Sequence, residues 1–331
     1  MGDFRSGPRY GEMRYEYCGS SGLRLPLLSL GLWHNFGEIT PFEVQRDLIL
    51  TALELGITHF DLANNYGPGA GAAETNFGRM MDEGLRAYRD EIVVATKAGY
   101  TMWDGPYGKG GSRKHLLSSL DQSLKRMKMD YVDIFYHHCP DEDTPLEESM
   151  EALCTAVRAG KALYVGLSNY NAEQTKAAAE LLRREKVPCL IHQAKYSMFD
   201  RRPERGGLFE ALDEQGIGCI VYAPLFHGQL TDRYKNGIPL DSRASHDPRF
   251  LKPQDISESN LRRAEALRVI ASRRGQSLAQ MALAWAVRPE CVASALLGAS
   301  KPEQLRENVA ALKNTDFSQE ELAQIEQILD Q

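Results

Sequence analysis

The sequence predicts an α/β fold, a single closed (β/α)8 TIM barrel. Three observations carry that expectation. Short apolar or β-branched runs alternate with stretches of helical period. The runs number eight, and no shift of composition divides the chain. The loop after the first run, Gly31-Leu32-Trp33-His34, lacks the G-x-G-x-x-G turn that a doubly wound dinucleotide fold places there. Glycines do cluster in Gly67-Pro68-Gly69-Ala70-Gly71, but after the second run, where they read as turn residues.

The elements follow in order. Residues 1–14 are polar and glycine-rich without an apolar signal core, and read as a disordered tail. The barrel is then expected over 15–331, opening with a β-hairpin over 15–25 that turns at Ser20-Ser21-Gly22 and closes the barrel bottom. Strands are expected at 27–30, 58–62, 92–96, 132–137, 162–167, 190–193, 218–222 and 292–296. Helices are expected at 42–55, 73–81, 114–127, 146–158, 172–184 and 208–214, along a long segment 258–287, and at 302–312. Gly56 and Gly160 sit where a left-handed C-terminal residue ends a helix. Pro145 and Pro302 suit a first helical turn, and Asn171 and Ser277 suit N-caps. The segment 226–257 is too long for an ordinary connection. Placed after strand seven with Arg233, Arg243 and Arg249, it suits a clamp for a pyrophosphate.

Composition narrows the function classes. The chain has 331 residues, 43 % apolar, with a formal net charge of −6. Interspersed charges of that balance argue against a nucleic-acid partner. The longest apolar runs, such as 219–226, are far too short to span a membrane. Six scattered cysteines without a CxxC pair suit reduced thiols and a cytoplasmic location. The His137-His138 pair has no carboxylate or cysteine at ligand spacing, so no metal is expected.

Four polar residues punctuate the strands. Asp61 ends the second, Tyr66 lies in its loop, Lys97 ends the third and His138 the fourth. In a barrel the C-terminal strand ends form the active site. A free phenol has a pKa of about 10, and a neighbouring cation lowers it. Lys97 is expected to do this to Tyr66, with Asp61 holding the amine and His138 orienting a carbonyl oxygen. Tyr66 then serves as the acid while a cofactor supplies hydride. Singly, each residue has a plainer reading: a helix-capping aspartate, a solvated lysine, a rim tyrosine, a core histidine. Their joint placement carries the expectation.

Phe60-Asp61-Leu62-Ala63-Asn64-Asn65-Tyr66-Gly67, Ala95-Thr96-Lys97 and Tyr131-Val132-Asp133-Ile134-Phe135-Tyr136-His137-His138 resemble signatures of the aldo-keto reductase superfamily. Met102-Trp103-Asp104-Gly105-Pro106-Tyr107-Gly108 and Gly160-Lys161-Ala162-Leu163-Tyr164-Val165-Gly166 resemble the bacterial L-glyceraldehyde 3-phosphate reductases, relatives of the potassium-channel β subunits. The resemblance implies a catalytic tetrad of Asp61, Tyr66, Lys97 and His138. The channel subunits have asparagine at the last position, so His138 favours an enzyme.

The resemblance also implies a nicotinamide nucleotide site. Ser168, Asn169 and Gln193 would hold the carboxamide, and Tyr222 would stack on the ring. Trp33 and Asp61 would border the cofactor. Ala223-Pro224-Leu225 stands where the family has Ser-Pro-Leu. Gly228, Gln229, Leu230, Arg233 and Arg243 fall where the family folds over the pyrophosphate. In the segment from Gly298 to Asn308, Ser300 and Gln304 would face the 2′-phosphate, and Glu307 and Asn308 the adenine. Many members carry Lys and Arg here; Gly298 and Gln304 weaken the preference, while NADPH remains expected over NADH.

Trp33, Tyr66, Trp103 and His138 would contact substrate, with Tyr100 and Tyr107 as further wall residues. Gly105, Gly108, Gly110 and Gly111 suggest a mobile third loop, and Lys109, Arg113 and Lys114 suit either a substrate phosphate or solvated surface. The implied substrate is a small aldehyde such as L-glyceraldehyde 3-phosphate or methylglyoxal. The implied assembly is a homo-oligomer, tetramer or octamer. Two rivals stand beside this reading: an NADPH-binding regulatory subunit with little turnover, and a lyase or isomerase using Lys97 as a Schiff base.

Overall fold

The computed structural model describes residues 9–240, 242–246 and 251–330. A hairpin of β1 (Tyr15–Tyr17) and β2 (Arg24–Pro26) precedes the barrel. Eight parallel strands then close on themselves: β3 (Leu28–Gly31), β4 (His59–Asp61), β5 (Val93–Ala98), β6 (Val132–His137), β7 (Ala162–Ser168), β8 (Cys189–Lys195), β9 (Gly218–Tyr222) and β10 (Val292–Leu297), with β10 pairing back to β3. All eight expected strands are present, each within three residues of its expected bounds.

Both faces of these strands are covered, which is why they read as near-continuous apolar runs. Phe60, Val94, Phe135, Val165 and Val221 point outward and join the helices in the main core. Ala95, Ile134, Tyr136, Ile191, Ile220 and Leu296 fill the barrel interior. Cys18 and Leu25 of the hairpin region complete that interior cluster, so the hairpin plugs the N-terminal end.

The helical layer follows the expected order: α1 (Phe42–Glu54), α2 (Ala72–Asp82), α3 (Arg113–Met127), α4 (Leu146–Arg158), α5 (Ala172–Arg184), α6 (Arg202–Arg205), α7 (Leu208–Gln215), α8 (Arg243–His246), α9 (Glu258–Arg273), α10 (Leu278–Ala286), α11 (Pro302–Val309) and α12 (Gln319–Leu329). Asn171 and Ser277 cap α5 and α10 with reciprocal capping boxes. Gly56 and Gly160 adopt φ of 78° and 69°.

Three expectations change. The long segment 258–287 is two helices: Gly275, at φ 67°, ends one and Ser277 starts the next, and α6, α8 and α12 were not anticipated. Pro145 is the N-cap of α4 rather than its first residue. Of the expected tail, residues 1–8 lie outside the described residues, while 9–14 pack on the barrel: Met13 is buried and Tyr10 Oη donates to Glu91 at 2.5 Å.

Candidate active site

Asp61, Lys97 and His138 arrive from three adjacent strands. Parallel pairing of β4, β5 and β6 brings their C-terminal ends to one rim. Lys97 Nζ donates to Asp61 Oδ2 at 2.6 Å, to Leu62 O at 2.7 Å and to Tyr66 Oη at 3.2 Å. An ammonium has three hydrogens, and here it has three acceptors. Its side chain is fully buried, and that of Asp61 is 1 % exposed. The amine also lies over the rings of Tyr66 and Tyr136, at 4.6 and 5.6 Å from their centroids. Asp61 Oδ1 accepts from Gln193 Nε2 at 2.9 Å. A lysine so engaged is a poor Schiff-base nucleophile.

His138 follows β6, and its backbone N–H donates to Ala98 O at 2.9 Å. Its ring meets Tyr66 edge-on at 5.8 Å and Tyr100 at 4.6 Å. The structure therefore brings all four side chains together.

The electrostatics differ from expectation on one point. Burial pushes the Tyr66 phenol well above its ordinary value, and Asp61, Tyr222 and Tyr100 add to the rise. The lowering expected from Lys97 is not found: every resolved influence on the phenol raises it, with desolvation of the phenolate the largest. Tyr66 thus keeps its proton at rest. Burial also lowers Lys97, opposed by Asp61. It holds the His138 imidazole well below its usual value, helped by Lys97 and His137. A neutral imidazole offers one N–H to a carbonyl oxygen.

Residues expected to face a nucleotide line the neighbouring rim. Asn169, at φ 63°, is not a helix cap; Asn171 is. Asn169 Nδ2 donates to His138 O at 3.0 Å and Ser168 Oγ at 3.1 Å, and its Oδ1 accepts from Tyr222 Oη at 2.8 Å. Its amide is committed to protein partners. Gln193 Oε1 and the Ser168 hydroxyl hydrogen remain, one acceptor and one donor, which fits a carboxamide. Ala223, Phe226, His227 and Gly228 all have positive φ, from 45° to 91°. Three of them are non-glycine, each a strain of about 1–3 kcal/mol of the kind stored at ligand-binding turns. Pro224 is buried and Leu225 packs on the core. Gln229 Nε2 donates to Asp255 O at 3.2 Å and its Oε1 accepts from Asn260, so Gln229 and buried Leu230 anchor the loop. Arg233 is exposed, and the Arg243 side chain lies outside the described residues. Gly298, Ser300, Gln304 and Glu307 are exposed, while Asn308 is buried. Gln304 Oε1 accepts from Ser300 N–H at 2.8 Å, joining that pair.

Of the residues expected to contact substrate, Trp33 is half-buried beside His34 at 5.4 Å, and Trp103 packs on His115 at 5.3 Å. Tyr107 is exposed. The third loop is fastened rather than mobile. Gly110 N–H donates to Gly99 O at 2.8 Å and Gly111 N–H to Asp141 Oδ2 at 2.6 Å. A Cβ at Gly108 would stand 1.8 Å from Trp103 O, so glycine serves close approach. Lys109 and Lys114 are exposed, and Arg113 lies 3.7 Å from Glu151. Sequence reading missed Tyr136 beneath Lys97, Leu62 O as the third acceptor, Asp141 as the loop anchor, and Asn35, whose Nδ2 donates to Ala299 O at 2.7 Å. Each acts through a tertiary contact that no local motif announces. Two surface depressions, beside Lys128 and beside Thr58, lie at the opposite end of the strands.

Residues 27–330 match the Aldo/keto reductase family. The chain is 57 % identical over 322 residues to an L-glyceraldehyde 3-phosphate reductase of Escherichia coli (strain K12), covering 96 % of this chain and 93 % of the relative. It is 38 % identical over 306 residues to a probable voltage-gated potassium channel subunit beta of Oryza sativa subsp. japonica, covering 91 % of each. A crystal structure of a thermostable aldo-keto reductase in complex with the inhibitor epalrestat superposes with a TM-score of 0.75 at 29 % identity, covering 96 % of this chain and all of that one. A family match along nearly the whole barrel, joined to a named reductase more than half identical, settles the kinship: the chain belongs to the aldo/keto reductase family and is an oxidoreductase.

Proposed function

We propose that this oxidoreductase reduces small aldehydes to alcohols with NADPH, with Tyr66 as the proton donor. L-glyceraldehyde 3-phosphate leads as substrate, on the name of the 57 % identical relative, with methylglyoxal beside it. The observation that carries the reading is the Asp61–Lys97–Tyr66 chain, with contacts of 2.6 and 3.2 Å, beside a neutral His138.

A reduced nicotinamide, when bound, supplies the hydride to the carbonyl carbon. Ser168 and Gln193 would hold its carboxamide, and the Tyr222 ring would offer it a face. His138 donates an N–H to the carbonyl oxygen and fixes its direction. Tyr66 gives its proton to that oxygen as charge develops there. The phenolate left behind is stabilised by Lys97 until solvent returns the proton. Asp61 and Leu62 O keep the ammonium in place.

Mixing the protein with NADPH and either aldehyde, and following the absorbance of the reduced nicotinamide, tests this. Tyr66→Phe is expected to lose turnover by at least about 10³-fold while NADPH still binds. Equal loss of both would make Tyr66 a binding or folding residue. Tight NADPH binding without turnover by the wild type would favour a regulatory role. A homo-oligomeric, cytoplasmic enzyme accords with the same kinship, and light scattering reads the assembly. Among the described residues no helix is long and apolar enough to cross a membrane.

A further inference from the structure

A second charged cluster stands at the same rim. Lys195 ends β8 in register with Tyr222, and Tyr196 N–H donates to Tyr222 O at 3.2 Å. Asp200 follows in a tight turn, in which Ser197 Oγ accepts from the Phe199 and Asp200 N–H groups at 3.2 and 3.1 Å. The turn buries the Asp200 carboxylate. That carboxylate accepts from Arg202 Nε at 2.8 Å and Nη2 at 2.7 Å, and lies 3.7 Å from Lys195 Nζ. Lys195 Nζ is also 5.2 Å from the ring of Phe226, which lies in the strained turn beyond β9.

The adjacent arginine is used differently. Arg201 gives Nε and Nη2 to Glu204 and Nη1 to Glu326, and so fastens α12 to the barrel. Arg202 is 76 % exposed, and its Nη1 bonds to none of the described residues. One buried carboxylate therefore orients two cations and leaves a surplus positive charge. Tyr222 responds to the cluster: burial raises its phenol to about 12, Tyr100 adds to the rise, Arg202 draws it down and Asp200 opposes.

We propose that Lys195, Asp200 and Arg202 form a phosphate-binding subsite at the barrel mouth. A guanidinium fixed by a carboxylate keeps its remaining donors in a set direction, and the neighbouring ammonium adds a point charge. Two molecules of the proposed reaction carry phosphate: a phosphorylated aldehyde and the dinucleotide. The aldehyde arm rests on the proposed function.

Arg202→Gln and Lys195→Gln each remove one charge while Asp200 keeps the other cation. The readouts are kcat/KM for glyceraldehyde 3-phosphate relative to unphosphorylated glyceraldehyde, and the Kd of NADPH by nicotinamide fluorescence. Loss of one charge-assisted contact is expected to cost about 10- to 100-fold. A fall in the substrate ratio identifies the aldehyde's phosphate; a matching rise in Kd identifies the dinucleotide's. Arg202→Lys is expected to recover part of the loss. If both variants melt like wild type and stay within about twofold on both readouts, the subsite is refuted. A wild type inert toward both aldehydes refutes the proposed function instead, and the NADPH titration then decides the subsite alone.

Discussion

Replacing Lys97 with methionine tests the central geometry. The substitution keeps most of the side-chain volume and removes one buried charge. Lys97 Nζ lies 3.2 Å from Tyr66 Oη, where the proposed reaction forms a phenolate. At that separation, and at an effective dielectric constant of about 20, the attraction is about 5 kcal/mol, or about 10³- to 10⁴-fold in kcat. The same substitution strands Asp61, 1 % exposed, with Gln193 as its remaining side-chain partner. Breaking a buried pair in this way costs about 3–5 kcal/mol of stability. The double variant Asp61→Asn/Lys97→Met removes both charges, so stability is expected to recover in guanidinium unfolding while kcat stays low. Single-turnover reduction separates the chemical step from product release. A Lys97→Met protein within about tenfold of wild-type kcat would refute the reasoning, as would a double variant no more stable than the single.

Two predictions concern pH. Burial keeps His138 neutral and Tyr66 protonated, so kcat at saturating NADPH should be flat from about pH 6 to about pH 8; a limb near about 6.5 would mean that His138 titrates as an ordinary imidazole. Stability should respond where the rate does not. Burial lowers His59, His137 and His192 to about 4, against about 6.5 in the unfolded chain. Between those values the unfolded state binds more protons, so stability falls as pH drops, by up to about 3 kcal/mol for each histidine. Guanidinium midpoints from pH 7 to pH 5 that stay constant or rise would contradict this.

Much of the architecture was legible because local rules and global fold agree. Eight runs bounded by turn residues became eight strands, and Asn171 and Ser277 capped helices as their side-chain chemistry demands. The break at Gly275 was readable too, from a glycine two residues before a capping serine in the polar stretch 272–277. The short helix α6 and the C-terminal α12 carry weaker signals. Arg201, Glu204 and Glu326 link them across 125 residues of chain.

The sequence alone determined which residues end which strands, because period and punctuation are local properties of the chain. Barrel closure then brings Asp61, Tyr66, Lys97 and His138 to one rim. What each group does there was decided by tertiary structure. Desolvation depends on everything packed around a side chain, so the rise in Tyr66, the commitment of Asn169 to Tyr222 and His138, and the exposure of Arg202 beside a half-buried Arg201 appear only once the strands have closed.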